Sequence, residues 1–119
     1  MTNPSTPPRF QLPHHKLVAY GVAVELLRII KAAQITDAKL RDEALRAAKS
    51  ACLNTAEGAG RVTRPDKARA FAIARGEAVE AMAALEIAEI SGDAAPGSTA
   101  KALPIADRLV ALLTGLVRR

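Results

Sequence analysis

The stretch that decides the fold runs from Phe71 to Ile90 and reads FAIARGEAVEAMAALEIAEI. Its apolar residues recur at alternating intervals of three and four, which is the period of one face of an α-helix. They are Phe71, Ala74, Ala78, Ala81, Leu85 and Ala88. The segment SGDAAPGST that follows is rich in glycine, serine and proline, and this composition predicts a loop. The pattern predicts a helix that begins near Pro65 and ends at about Ile90.

The same period on both sides of this helix predicts three more helices. Helix 1 is expected at about His14–Gln34 and helix 4 at about Ala102–Val117. Helix 2 is expected to begin with Thr36 or Asp37 as its N-cap and to end near Gly58. We interpret this glycine as a left-handed stop, because glycine adopts positive φ without strain.

Short links between four helices imply antiparallel neighbours. The sequence thus predicts an all-α protein, an antiparallel up-down four-helix bundle formed by residues 13–119. Residues 1–12, with their prolines and small polar residues, are expected to be a disordered arm. Composition agrees, because 26 alanines, three aromatic residues and no tryptophan indicate one helical domain with an aliphatic core.

Several classes of protein are excluded by composition. The only cysteine is Cys52, so no disulfide can form within the chain. The first residues lack the apolar core of a signal peptide, and no uncharged apolar run approaches the ~18–20 residues that span a bilayer. These features predict a cytoplasmic protein that does not bind a membrane.

Helices 1 and 4 each carry two adjacent apolar stripes, which is more than the single face that a monomeric bundle requires. In helix 1 the stripes are Leu17, Tyr20, Val24, Leu27 and Val18, Val22, Leu26, Ile29. In helix 4 they are Ile105, Leu109, Leu112, Leu116 and Ala106, Val110, Leu113, Val117. One interpretation is a generous core within one chain, and the other is a contact with a second copy. We favour self-association as a homo-oligomer.

The net charge of +5 is unevenly distributed along the chain. Residues 61–76 hold five bases and one acid, whereas residues 77–97 hold five acids and no base. This order opposes the helix dipole, which favours acids at the beginning of a helix. Four bases have no evident local partner, and we take them as candidate nucleic-acid-binding residues: Arg61, Arg64, Lys67 and Arg69. They form either a solvated face or a patch for phosphate backbone or an acidic protein surface.

No constellation of catalytic or metal-binding residues is recognisable. His14 and His15 are adjacent, so on a helix they point about 100° apart and cannot chelate one metal ion as an i, i+4 pair does. Glu57 and Glu80 lie at or near apolar faces, but a di-iron bundle needs Glu-x-x-His motifs, and helices 2 to 4 contain no histidine. We expect both glutamates to be structural, Cys52 to be a buried thiol, and the protein to use no metal, no cofactor and no catalytic residue.

The stretch SACLNTAEGAGR, Ser50–Arg61, resembles the signature of a bacterial four-helix-bundle family first noticed in open reading frames within ribosomal RNA intervening sequences. The residues that fit S-x-x-x-N-x-A-E-G-x-G-R are Ser50, Asn54, Ala56, Glu57, Gly58, Gly60 and Arg61. Residues 67–88 are similar to the family's third helix, with Glu80 in register, and residues 16–30 are similar to its first helix. The chain departs from the pattern at Glu77, where a serine is usual.

The resemblance covers about residues 14–119 and implies a homo-oligomeric ring, usually of five subunits, without known catalysis. It makes Asn54, Glu57, Gly58 and Glu80 a structural signature. A related branch comprises basic accessory proteins of diversity-generating retroelements, which resemble this chain in size and charge and bind a reverse transcriptase and nucleic acid.

Two functions follow as hypotheses. The first is a non-enzymatic homo-oligomer, expected to be a pentamer, that binds RNA, DNA or a nucleic-acid-handling protein through its basic surface. The second is an oligomeric protein–protein interaction scaffold with no nucleic-acid role.

Overall fold

The computed structural model describes residues 10–119, and within them the chain forms four α-helices and no strand. The helices are α1 (Val18–Ala32), α2 (Ala38–Gly60), α3 (Arg64–Ile90) and α4 (Ser98–Arg118), with a 3₁₀ turn at Pro13–Lys16. The prediction of an all-α chain with four helices is confirmed. Most of the arm predicted for residues 1–12 lies outside the described residues. None of the four helices is long and apolar enough to cross a membrane.

Short polar side chains set the beginnings of α2 and α3. Asp37 is the N-cap of α2, where its Oδ2 accepts a hydrogen bond from the Leu40 amide at 2.9 Å. Thr63 is the N-cap of α3, where its Oγ1 accepts a hydrogen bond from the Asp66 amide at 3.4 Å. Both satisfy a backbone N–H that has no partner inside the helix. Of the two predicted N-caps of α2, Thr36 and Asp37, the structure has Asp37, and α3 ends at Ile90 as predicted.

The prediction that α2 ends at a left-handed Gly58 is wrong. α2 continues to Gly60, and the glycines with positive φ in the described chain are Gly92 and Gly97. Gly58 is buried, and a Cβ added to it would lie 2.5 Å from Cε1 of Phe71. The absence of a side chain, rather than backbone freedom, therefore accounts for glycine here, because the phenyl ring occupies the space.

The predicted first helix is interrupted near its beginning. Pro13–Lys16 forms a 3₁₀ turn, and Leu17 is extended, with φ −89° and ψ 120°, before α1 begins. α1 ends two residues earlier than predicted, because Gln34 adopts a left-handed φ of 49° that cannot continue a right-handed helix.

α4 begins at Ser98, one turn before the predicted start at Ala102. The carboxylate of Glu89, near the end of α3, supplies the reason. Its Oε1 accepts a hydrogen bond from the Thr99 amide at 2.7 Å, and its Oε2 accepts one from the Gly97 amide at 3.2 Å. A side chain from another helix thus satisfies amides at the first turn of α4, a contact that the local sequence does not reveal.

We expect Glu89→Gln to remove a pH-dependent part of the stability. The backbone amides of Thr99 and Gly97 hold the pKa of Glu89 below its ordinary value. A lowered carboxyl pKa stabilises the fold above the unfolded-state pKa of glutamate, about 4.3, and this stabilisation is lost as the pH falls through the lowered value. The wild type should therefore melt at a higher temperature than the variant at neutral pH, and the difference should shrink below about pH 4. Thermal denaturation of both proteins across this range checks the prediction, and a difference that stays constant would contradict it.

The core is built mainly from alanine. Of the 25 apolar residues buried within residues 10–119, 15 are alanine, and α2 and α3 make the most extensive contact between helices. Small side chains let helix axes approach closely, because the separation depends on the residues at the contact. The largest fully buried apolar side chains are Leu26, Ile30, Leu85, Leu109 and Leu113, four of them from α1 and α4.

The double stripes of α1 and α4 pack to a large extent within the chain. Val22, Leu26 and Leu109 are buried, and Val24 and Ile105 are among the half-buried residues that lie against the core. A generous core thus accounts for much of the apolar surface of α1 and α4. Of the seven large apolar side chains that are exposed on the four described helices, four lie on α3.

Candidate nucleic-acid interface

The turn between α2 and α3 holds the four bases that the sequence identifies. α2 ends at Gly60 and α3 begins at Arg64, so the two helices meet at a tight corner. The four bases do not form one patch. Arg64 and Lys67 line one cleft, whereas Arg61 and Arg69 line another.

The first cleft joins both ends of the described chain to this corner. It has a volume of about 290 Å³ and lies where the beginnings of α1 and α3 meet the ends of α2 and α4. It is lined by Pro13, Leu17, Ala59, Arg64, Lys67, Phe71, Leu116 and Arg119. Three bases therefore share one depression, and they come from two separate parts of the chain, the beginning of α3 and the residue after α4.

Bases near both ends of the described chain also lie close to the α2–α3 corner, and the sequence did not identify them as candidates. Lys16 directly precedes Leu17, and Arg118 directly precedes Arg119. The signal was the net charge of +3 in residues 1–35 and in residues 98–119. Only the fold reveals that these segments meet the α2–α3 corner. We call the resulting surface the basic end: Lys16, Arg61, Arg64, Lys67, Arg69, Arg118 and Arg119.

The second cleft is mixed in charge. Its volume is about 390 Å³, and it is lined by Glu57, Arg61, Asp66, Arg69, Ala70 and Ile73. Arg61 forms an ion pair with Glu57, with 2.5 Å between Nη2 and Oε1, and this carboxylate raises the pKa of Arg61. Two acids offset two bases here, so the second cleft attracts anions less than the first.

Two of the four predicted residues already have partners within the chain. Lys67 Nζ donates hydrogen bonds to the carbonyl oxygens of Ala59 at 2.9 Å and Gly58 at 3.3 Å. It thereby satisfies carbonyls in the last turn of α2, as basic residues do at helix ends. Within residues 10–119, Arg64 and Arg69 make no ion pair and no side-chain hydrogen bond. These two guanidinium groups are therefore available to an external anion.

A small group of rings lies in the segment that enters the first cleft. The rings of His14 and His15 are 4.1 Å apart, and His14 meets Tyr20 edge-on at 4.8 Å. Nδ1 of His15 accepts a hydrogen bond from the Leu12 amide at 3.0 Å. These rings lie next to Pro13 and Leu17 in the sequence but do not themselves line the first cleft.

Three residues of the structural signature, Asn54, Glu57 and Gly58, make contacts along the second half of α2. Asn54 Nδ2 donates hydrogen bonds to the carbonyl oxygen of Ser50 at 2.9 Å and to its Oγ at 3.0 Å. Glu57 forms the ion pair with Arg61 described above, and the phenyl ring of Phe71 lies directly against Gly58. These contacts favour a structural role for the signature.

Glu80 belongs to a charged cluster on the outside of α2 and α3. The Arg46 guanidinium binds Glu43 at 2.7 Å, Glu77 at 2.9 Å, and Glu80. Arg46 lowers the pKa of Glu43, whereas the contact with Glu43 raises the pKa of Glu80. Glu57 and Glu80 thus pair with different arginines, and no three acid, histidine or cysteine side chains of residues 10–119 are grouped as metal ligands.

The fold and the site together define a class of protein, a four-helix bundle with a basic surface at one end. The family model of the 23S rRNA-intervening sequence protein matches residues 17–115. The chain belongs to this family, and the resemblance drawn from residues 50–61 is thereby confirmed. A comparison with curated proteins gives no match.

Proposed function

We propose that this protein is a non-enzymatic homo-oligomer that binds nucleic acid, or a ribonucleoprotein partner, through the basic end of its bundle. The observation that carries the proposal is the convergence on the first cleft of Arg64 and Lys67, from the beginning of α3, with Arg119, which follows α4. Seven bases at this end are opposed by two acids, Glu57 and Asp66. Such a surface attracts phosphate backbone with little regard to base sequence.

The availability of Arg64 and Arg69 supports this proposal. Neither has an acidic partner within the described chain, and both side chains start from the first two turns of α3. The amides of a helix N-terminus add a partial positive charge to that of the two guanidinium groups. The ligand is therefore expected to be a polyanion, and its binding requires no metal and no cofactor.

We also propose that the chain forms an antiparallel up-down bundle and that five copies form a ring in the cytoplasm. The meeting of the beginnings of α1 and α3 with the ends of α2 and α4 supports the antiparallel arrangement. The number five comes from the resemblance to the family. A ring repeats the basic end once in each subunit, so weak phosphate contacts add up.

RNA is the first ligand to test, because the family description refers to 23S rRNA. The second candidate function is an oligomeric scaffold for another protein. The exposed apolar side chains of α3 favour it, since large exposed apolar surfaces mark sites of protein contact.

Size-exclusion chromatography with light scattering tests the proposal, with and without a short mixed-sequence RNA. We expect a mass near five times 12.5 kDa, with RNA bound at low salt and released at high salt. An oligomer that takes up no RNA at any salt concentration would reject the nucleic-acid role and favour the scaffold. A monomer would reject self-association.

A further inference from the structure

The outer face of α3 carries an apolar ridge that the bundle does not cover. Four large apolar side chains lie along it, and their exposed fractions rise from 46% at Ile73 and 49% at Val79 to 51% at Ile87 and 86% at Ile90. Isolated exposed apolar residues are common on soluble proteins, but several on the outer side of one helix favour a contact surface. We call these four residues the α3 ridge.

A groove of matching character lies between the end of α1 and the beginning of α4. It has a volume of about 500 Å³, and Lys101 is its single charged lining residue. It is lined by Ile29, Ala32, Ala33, Ala95, Pro96, Gly97, Ser98 and Lys101. We call it the α1–α4 groove. Most of its lining residues are small and apolar, so it can receive a branched aliphatic side chain, with Ser98 and Lys101 as the polar side chains of the lining.

The most exposed part of the α3 ridge and the α1–α4 groove lie at the same end of the bundle. The amide of Thr36, which follows α1, donates a hydrogen bond to the carbonyl oxygen of Asp93, which follows α3, at 2.8 Å. Glu89 near the end of α3 binds the beginning of α4. Copies related by rotation about an axis parallel to the bundle would therefore present Ile90 of one copy at the level of the groove of the next.

The charges beside the two surfaces are complementary. Glu86 is exposed next to Ile87 on α3, whereas Lys101 lines the groove and Lys31 is exposed in the last turn of α1. Ile90 shares a depression with Thr99 at the beginning of α4, and Glu86, which also lines that depression, makes no ion pair within the described chain. The acid beside the ridge thus lacks, in its own chain, the bases that a second copy would supply.

We infer that a second copy of this chain covers the α3 ridge by inserting it, Ile90 foremost, into its α1–α4 groove. The contact is head-to-tail, because ridge and groove are different surfaces of the same chain, and such contacts close into rings or continue as filaments. This inference rests on the self-association proposed above and names the surfaces that produce it. It leaves the first cleft, at the opposite end of α3, uncovered, whereas Ile73 belongs both to the ridge and to the second cleft.

Two single variants and their mixture test the inference. Ile90→Arg places a charge on the ridge, and Ala32→Arg places a charge in the groove. Both positions are exposed, so both variants are expected to fold. Each variant alone should be a monomer of 12.5 kDa by light scattering. An equimolar mixture should give a species of two subunits, because the intact groove of one variant can still receive the intact ridge of the other. Leu53→Arg, which is 71% exposed on α2 outside both surfaces, should keep the mass of the wild type.

The remaining outcomes separate this inference from the proposed function. If Ile90→Arg keeps the mass of an oligomeric wild type, the ridge is not the contact, although self-association stands. If the ridge variant dissociates and the groove variant does not, two ridges pair with each other and the head-to-tail contact is overturned. A monomeric wild type overturns self-association and this inference together.

Discussion

Gly58→Ala should lower the free energy of unfolding by about 1–3 kcal/mol, the cost of forcing extra volume into a packed site. The new Cβ would lie 2.5 Å and 2.6 Å from Cε1 and Cδ1 of Phe71, so either the ring or α2 must move. The ring is itself buried, but it also lines the first cleft and can yield partly in that direction. Urea denaturation followed by circular dichroism measures the loss.

A second helical glycine, Gly115, provides a control for this prediction. Gly115 lies in α4 with no atom within 4 Å of an added Cβ, so Gly115→Ala should raise the stability by about 0.5–1 kcal/mol through helix propensity alone. Phe71→Leu should relieve the crowding, so that Gly58→Ala costs less in that background than in the wild type. If Gly58→Ala behaves like Gly115→Ala, the close approach of the ring is not a constraint on this fold.

Removing the two unpaired bases of the α2–α3 corner should produce the largest functional effect. We expect Arg64→Ser combined with Arg69→Ser to weaken RNA binding on the order of 100-fold at ~50 mM salt, and to lower the salt slope by about two. The reason is that each guanidinium lost from a phosphate contact releases about one counterion fewer. Filter binding across a series of salt concentrations measures both quantities.

A charge-matched control separates this surface from the overall charge of the protein. Lys39→Ser combined with Lys49→Ser removes the same charge from exposed positions of α2 outside the basic end. This control should change affinity far less. Equal losses in the two double variants would mean that net charge, rather than the basic end, attracts RNA.

The double variant leaves Lys67 in place. The sequence alone suggests replacing all four bases together without harm to the fold. The structure gives Lys67 a second role, because its Nζ donates to two carbonyls in the last turn of α2. Its removal would therefore combine a loss of binding with a loss of stability.

Periodicity was sufficient to predict the four helices, because an amphipathic pattern in a single stretch reports which face is buried. It could not place the beginning of α4, since Glu89, ten residues before Thr99, caps it from another helix. The local pattern also gave the wrong reason for Gly58, because glycine is required there by the ring of Phe71, thirteen positions later in the sequence. Local signals such as the Asp37 N-cap could be predicted from the sequence, whereas contacts between helices could not.

The candidate site shows the same division. The bases of the corner were evident in the sequence because they cluster within a few residues. Their separation into two clefts, and the arrival of Arg119 beside Arg64, depend on how the helices pack. The pairing of Arg61 with Glu57 was the one partner that i, i+4 spacing could have revealed.

The alanine-rich core restricts how this sequence can change over time. An alanine in a buried helix position has few neutral substitutes, since glycine weakens the helix and valine or leucine brings volume that a close helix pair cannot hold. Leucine, isoleucine and valine at the larger core positions of α1 and α4 can exchange with one another at lower cost. Among distant relatives, substitutions should therefore accumulate in α1 and α4. The buried positions of α2 and α3 should change slowly, even where they contact no ligand.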